Sequence, residues 1–214
     1  MPAFTNANPR KQPRQARSRA TVDAILNAAA RILVKEGYEA ASTNRVAQVA
    51  GVSVGSLYQY FPSKASLVTA LRLRHANEMR TLLLAHAATG CTTTLKQSLQ
   101  TLVHAAIQAH TADPKLHRVL SEEVPQPRLN GGRADFEADY LAMTKALLQS
   151  HQSALRPLNL DLACLLLHRM ADALIHEIVF LPTDVFSADE IEKEIVEVAY
   201  RYLAKPAAEG ACKR

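Results

Sequence analysis

Glycine and proline punctuate residues 21–64 so closely that the stretch has room for brief helices and little else. Val22, Ile25, Leu26, Ala29, Ile32 and Leu33 recur three and four residues apart, which lines them along one face of a first helix. Gly37 ends it, because glycine accepts the left-handed conformation of a helix stop, and Tyr38 can fold back on the last turn. Ser42 or Thr43 offers a hydroxyl to cap a very short second helix that carries Val46, Ala47, Val49 and Ala50 and stops at Gly51. Ser53 caps a third, from Val54 to about Phe61, where Pro62 prevents continuation. Ser63 caps a fourth that starts at Lys64 and runs past Leu84. Three brief helices followed by a long one make a compact unit with its own core.

From about Thr92 every readable segment is helical. Leu95, Leu99, Leu102, Val103, Ala106 and Ile107 form one apolar stripe, and Asp113-Pro114 opens a short helix with Leu116, Val119 and Leu120. Two prolines and Gly131-Gly132 mark residues 124–133 as a loop. Phe136, Tyr140, Met143 and Leu147 mark the next helix, which stops before Pro157. Residues 160–180 and 188–204 form two more around a turn containing Pro182, and the last ten residues read as frayed. Residues 1–16, rich in Pro, Asn and Arg, read as a flexible arm. There is no internal repeat and no strand-like alternation.

Charge is distributed unevenly. Residues 1–64 hold nine Lys/Arg against three acids, a balance of +6, while the other 150 hold 16 basic and 17 acidic side chains. The excess suits a polyanion-binding segment joined to a neutral body, and by itself suits equally a basic tail that aids solubility. At 48% hydrophobic the chain is too apolar for intrinsic disorder. Cys91, Cys164 and Cys212 are too few and scattered for a disulfide framework or a cysteine zinc site, which fits a reducing cytoplasm. No stretch approaches the roughly 20 apolar residues needed to cross a bilayer, and no signal-peptide segment follows the basic N-terminus.

The spacing from Val46 to Tyr60 carries the functional reading. Two helices that pack steeply through a tight turn need a small residue where the backbones meet, a glycine in the turn and an apolar residue facing back. Ala47, Gly51 and Leu57 supply these, with Val52 plugging the junction. With Ala24-Ile25-Leu26-Asn27-Ala28-Ala29, Gly37-Tyr38, Ser42-Thr43, Ala50-Gly51-Val52-Ser53, and Leu57-Tyr58-Gln59-Tyr60-Phe61-Pro62-Ser63-Lys64 followed by Leu67, the segment from Arg17 to about Asn77 resembles the DNA-binding domain of the TetR family of regulators. The resemblance covers somewhat over a quarter of the chain. The remainder is similar only in being all-helical and of suitable length.

That resemblance implies an all-α fold: a flexible arm (1–16), a helix-turn-helix DNA-binding domain (17–77), and a larger helical bundle (78–214) for effector binding and dimerisation. It implies a sequence-specific, ligand-responsive regulator, most often a repressor, that binds a palindromic operator. In such proteins the third helix lies in the major groove. Its exposed positions here are Val54, Gly55 and Ser56, with Tyr58 and Gln59 a turn later, and Gln59 is the side chain best suited to a base edge. Tyr58 and Tyr60 reach phosphates; Thr43, Asn44, Arg45 and Lys64 match positions that grip the backbone or a neighbouring base. Ser53 combines capping with DNA contact. Arg10, Lys11, Arg14 and Arg17 of the arm enter a minor groove or neutralise phosphates, and their spacing does not separate the two.

One module is too small for good specificity, so two-fold pairing is expected, with half-sites about 34 Å apart. Residues 160–181 are apolar on more than one side, as a buried core helix or a dimer seam would be; the resemblance favours a seam of Leu166, Met170 and Leu174 with Ile191, Ile195, Val198 and Tyr202. Leu99, Val103, Ile107, Tyr140, Met143 and Leu147 are candidates for an effector pocket and equally good candidates for ordinary core.

Other signals carry less. His168, Asp172 and His176 share a helix face, but the outer pair are about 12 Å apart along the axis, too far for one ion, so no metal site is read from them. Glu122-Glu123 read as a solvated helix end rather than an acid/base pair, and Cys91 as an unreactive thiol. No phosphate loop, GxSxG or HExxH is present, so neither an enzyme nor a cofactor is expected. Two rivals remain: a non-specific architectural DNA binder, and a helical enzyme or scaffold with an incidental helix-turn-helix.

Overall fold

The computed structural model describes residues 16–87, 94–124, 133–180 and 186–206, and among them every element but one isolated bridge, Leu155 to Ala204, is helical. The helices are α1 (Ala16–Ala40), α2 (Thr43–Ala50), α3 (Val54–Tyr60), α4 (Lys64–Ala87), α5 (Leu95–Thr111), α6 (Pro114–Arg118), α7 (Arg133–Ser150), α8 (Leu160–Phe180) and α9 (Ala188–Leu203). The all-helical class read from the sequence is the class found. Among the described residues no helix is long and apolar enough to cross a membrane.

They divide into two compact units, one containing residues up to Asn77 together with those from Asp113 to 124, the other containing Glu78–Ala112 and the residues from 133 onward. Helix α4 contributes to both. Placing residues 78–214 in one domain overlooked α6 and the π-turn after it (Val119–Glu123), whose Leu116, Val119 and Leu120 join the core of the first unit. The sequence offered only an apolar stripe there, not what it packs on.

Punctuation in the first unit follows the backbone chemistry. α1 starts at Ala16, inside the stretch read as an arm, and is interrupted at Gly37, whose φ of 80° and ψ of 172° leave the helical region; a short helical stretch then reaches Ala40. A side chain at that φ would be strained, and a Cβ would also meet the Glu123 carboxylate at 3.5 Å, the group that accepts the Tyr38 N–H. Ser42 caps α2 by accepting the Arg45 N–H at 3.2 Å. Gly51 closes α2 in the left-handed region at φ 67°, its N–H turned back to the carbonyls of Ala47 and Gln48. Ser53 caps α3 through the Ser56 N–H. Ser63 accepts the Ser66 N–H and gives its own N–H to the Ser66 hydroxyl, a reciprocal cap with serine where glutamate is more usual. Ile25, Ile32, Leu33, Leu57, Phe61, Leu67 and Leu71 are buried in one cluster, each contributing roughly 1.5–3 kcal/mol by leaving water. Arg72 donates to the carbonyls of Leu120 and Val124 at 2.7 Å each, fastening the π-turn.

In the second unit α5 packs against α8 and α9, and α7 against α8. Thr94 with Gln97 and Ser187 with Glu190 form capping boxes at the starts of α5 and α9. Leu99, Val103, Ile107, Leu148, Ile175, Ile195 and Leu203 lie in its buried core.

Candidate nucleic-acid interface

α3 has two faces. Leu57 is fully buried and is the helix's only buried residue; Val54 and Tyr58 are 41% and 43% exposed, and Ser53, Gly55 and Gln59 are open to solvent. Ser56 and Tyr60 are half-buried. The surface is therefore a row of small and polar groups projecting from a helix seated by one leucine. No neighbour lies closer than 4.0 Å to where a Cβ on Gly55 would stand, so that glycine leaves the helix surface low there.

Side chains from three other elements border this face. The Tyr58 hydroxyl lies 3.1 Å from Thr43 Oγ1 at the start of α2, and the Tyr60 hydroxyl 2.8 Å from Ser18 Oγ on α1. Both pairs hold a phenol ring in place while leaving oxygen lone pairs and protons for exchange with another partner. Lys64 stacks its ammonium 3.8 Å from the Tyr38 ring centre and donates to the Glu39 carbonyl at 3.4 Å. Arg45 pairs with Glu36 at 3.0 Å and with Gln48 at 3.2 Å. The hydrogen bond from Arg45 holds the Glu36 carboxyl below its ordinary value and raises Arg45 in turn. With side chains 44% and 31% exposed, this pair is easily exchanged for a phosphate. Asn44 is exposed on α2; Arg14 lies outside the described residues, and Arg17 sits in the first turn of α1. Sequence reasoning missed Ser18, Glu36 and Tyr38. Their spacing from α3 runs through the fold, and only Tyr38, beside a helix-stopping glycine, carried any local signal.

The second unit rearranges the other candidates. One cavity is lined by Leu83, Ala106, Ala109, His110, Tyr140, His168, Ala171, Asp172 and Ile175. Of the six residues put forward for an effector pocket only Tyr140 is among them; Leu99, Val103 and Ile107 are buried in the core, with Met143 and Leu147 packed against it. For the seam, Leu166, Leu174 and Val198 are 47%, 39% and 47% exposed, with Leu162 and Leu165 beside them at 52% and 40%. Met170 and Ile191 are half-buried. Ile195 is only 1% exposed and belongs to the unit's own core, and Tyr202 packs on that core with Arg156 over its ring, so neither forms an open face. Among the described residues the Asp172 carboxyl is strongly perturbed: burial raises its pKa, but the neighbouring His110, His176 and His168 outweigh burial and hold it at about 2.

A short helix exposed on one side, seated through one leucine against a second helix across a left-handed glycine, places the chain among the helix-turn-helix proteins. The profile described as "Bacterial regulatory proteins, tetR family" matches residues 25–71, and that described as "Tetracyclin repressor-like, C-terminal domain" matches residues 94–203, more than half of the chain. The chain belongs to the TetR family. It is 32% identical over 130 residues to the HTH-type transcriptional activator FasR of Mycolicibacterium smegmatis, covering 60% of this chain and 57% of FasR. It is 52% identical over 44 residues to the HTH-type transcriptional repressor KstR of the same organism, covering 21% and 22%. The chain thus spans little over half of one relative and under a quarter of the other. The solved structure of the fatty acid degradation regulator FadR from Bacillus halodurans superposes with a TM-score of 0.68 at 20% identity, covering 96% of this chain and 100% of that one, a likeness of fold.

Proposed function

We propose that this protein is a ligand-responsive transcriptional repressor that binds a palindromic operator as a homodimer. The observation that carries the reading is the exposure of Val54, Gly55, Tyr58 and Gln59 on a helix anchored by Leu57. Gln59 is open to solvent, and its amide offers the paired donor and acceptor that adenine matches. Thr43, Asn44, Arg45, Tyr58, Tyr60 and Lys64 provide the phosphate grip around it, with Ser53 and Ser56 at the N-terminus of α3, Arg17 in the first turn of α1, and Arg14 three residues before Arg17 in sequence. Several of these are held by weak, exposed partners, so they are pre-positioned yet replaceable.

The exposed leucines of α8 with Val198 of α9 support pairing of two copies, since a row of solvated aliphatic side chains on a folded unit marks a surface that another covers. A small molecule accommodated in the second unit would favour one spacing of the two reading heads through α4. Moving operator occupancy from 99:1 to 1:99 requires about 5.5 kcal/mol of differential affinity between those spacings.

Selection from a random duplex pool tests the reading. A two-fold symmetric motif with half-sites about one helical turn apart supports it. Recovery of no motif, with affinity governed only by salt, indicates an architectural binder; no DNA affinity at all indicates a scaffold or enzyme with an unused helix-turn-helix.

A further inference from the structure

His168, Asp172 and His176 lie on one turn-spaced row of α8, too extended to share an ion. The fold changes the membership of that group. His110, in the last turn of α5, brings its Nε2 to 3.7 Å from Asp172 Oδ1, and His176 Nδ1 lies 3.7 Å from Asp172 Oδ2. Ligand nitrogens of His110 and His176 lie within 4.8 Å of one another, their ring centres 5.4 Å apart. His168 instead packs its ring on Tyr140, centres 4.8 Å apart. We propose that His110, Asp172 and His176 of the second unit form a binding site for one divalent transition-metal ion of the Zn2+ type.

Donor chemistry chooses the ion. Two imidazoles and one carboxylate suit Zn2+ and its neighbours, whereas Mg2+ and Ca2+ prefer all-oxygen sets. Tetrahedral ligands about 2.0–2.2 Å from zinc stand about 3.3–3.5 Å from each other, so His110 Nε2 is within a few tenths of an ångström of that spacing from Asp172 Oδ1, whereas His176 faces the other oxygen and binding requires the carboxylate to turn one oxygen toward both imidazoles and the two imidazoles to close up. His110 is already oriented for the task. Its Nδ1 lies 2.7 Å from the Ala106 carbonyl, which can only accept, so the proton sits on Nδ1 and Nε2 is the nitrogen directed at Asp172. A backbone carbonyl holding the far N–H is the usual support of a metal-binding histidine. The site is partly enclosed: the side chains of His110, Asp172 and His176 are 8%, 22% and 23% exposed. The cavity that His110 and Asp172 border measures about 10 Å³, room for one water or one ion. With three protein ligands the fourth position falls to a water from that cavity.

Binding is measured on the full-length protein, stripped of metal, by titrating Zn2+ alone against a chromophoric chelator; DNA plays no part, so the outcome is independent of the operator reading. The expected result is one ion per chain, weakened at least about 10-fold by each of His110→Ala, Asp172→Asn and His176→Ala. His104→Ala, whose imidazole pairs with Glu192 elsewhere, should bind as the native protein does. Co2+ loaded into the native protein should show the intense visible absorption of a four-coordinate centre, a readout that needs no variant to fold. The proposal is overturned by less than one Zn2+ per chain, by binding that survives all three substitutions, or by a Co2+ spectrum of the six-coordinate, water-like kind.

Discussion

Leu57 and Tyr58, adjacent on α3 and about 100° apart around it, are buried and exposed respectively, which allows the stability of this helix to be separated from its proposed use. Leu57 has no exposed surface and lies in the cluster that holds Val46, Ala47 and Phe61. Leu57→Ala removes three heavy atoms from that cluster, and buried Leu→Ala changes cost about 2–5 kcal/mol. A seven-residue helix has no stability alone, so the loss falls on the docking of α3 itself. At about 3 kcal/mol the amide protons of Leu57 to Phe61 should exchange roughly 150-fold faster. Tyr58, 43% exposed and paired only with the Thr43 hydroxyl, behaves differently. Tyr58→Ala should stay within about 0.5 kcal/mol of native stability, less than a threefold change in exchange. On the proposed phosphate grip it should also cost a hydrogen bond to a charged phosphate, about 1.5–3 kcal/mol, or roughly 12- to 160-fold in operator affinity. Hydrogen exchange on the free protein and fluorescence anisotropy on the selected duplex measure the two effects. The reasoning fails if Tyr58→Ala loosens α3 as much as Leu57→Ala does, or if it leaves operator affinity unchanged.

Gly51→Ala should destabilise by about 1–2 kcal/mol in urea unfolding although nothing lies within 4 Å of the new methyl, because the cost is the backbone at φ 67°; equal stability would mean that the turn relaxes. Gln59→Ala should erase base preference at one operator position, whereas Lys64→Ala should weaken binding to all sequences and lower the salt slope by about 1; binding-site selection and salt titration distinguish them, and identical effects would count against separate roles. Leu166→Glu, at a 47% exposed site, should give a folded monomer in sedimentation, while Ile195→Glu, at a 1% exposed site, should unfold the second unit; a dimer that tolerates Leu166→Glu refutes the seam.

The first unit was legible because its signals are local. Ser42, Gly51, Ser53, Pro62 and Ser63 each act on backbone within four residues, so caps and stops stand where the sequence puts them. Position relative to other elements was not local. Nothing adjacent to Tyr60 announces Ser18, 42 residues away, nor does anything adjacent to Arg45 reveal that Glu36 holds it. The capacity of α6 to join the first unit through Leu116 and Leu120 depends on where the chain returns, not on the stripe that those residues form. On α9 the stripe pattern was right and the direction partly wrong. Ile195 and Val198 are three residues apart and were assigned one face, but 300° of rotation leaves them 60° apart, enough for one to be enclosed while the other stays open.

The same geometry explains why the strongest apolar stripe of α5 was a poor guide to a cavity. Leu99, Val103 and Ile107 repeat every four residues and are large and branched, so they fill the space they face. Space remains beside such a stripe, where side chains are too short to fill it. Ala106 and Ala109 on α5 and Ala171 on α8 all line the cavity, with His110 directly after Ala109 and Asp172 directly after Ala171. Small residues on both helices open the gap, and the lining is mostly apolar with His110 and Asp172 at its border. Read on α5 alone, His110 is an isolated histidine at a helix end; read on α8 alone, Asp172 sits midway between two histidines that cannot meet. Within α8 Asp172 already meets His176, and packing α5 on α8 adds His110 on the other oxygen. The informative sequence signal for such a place is therefore not the most hydrophobic row but its alanine-rich edge, sought on two helices at once.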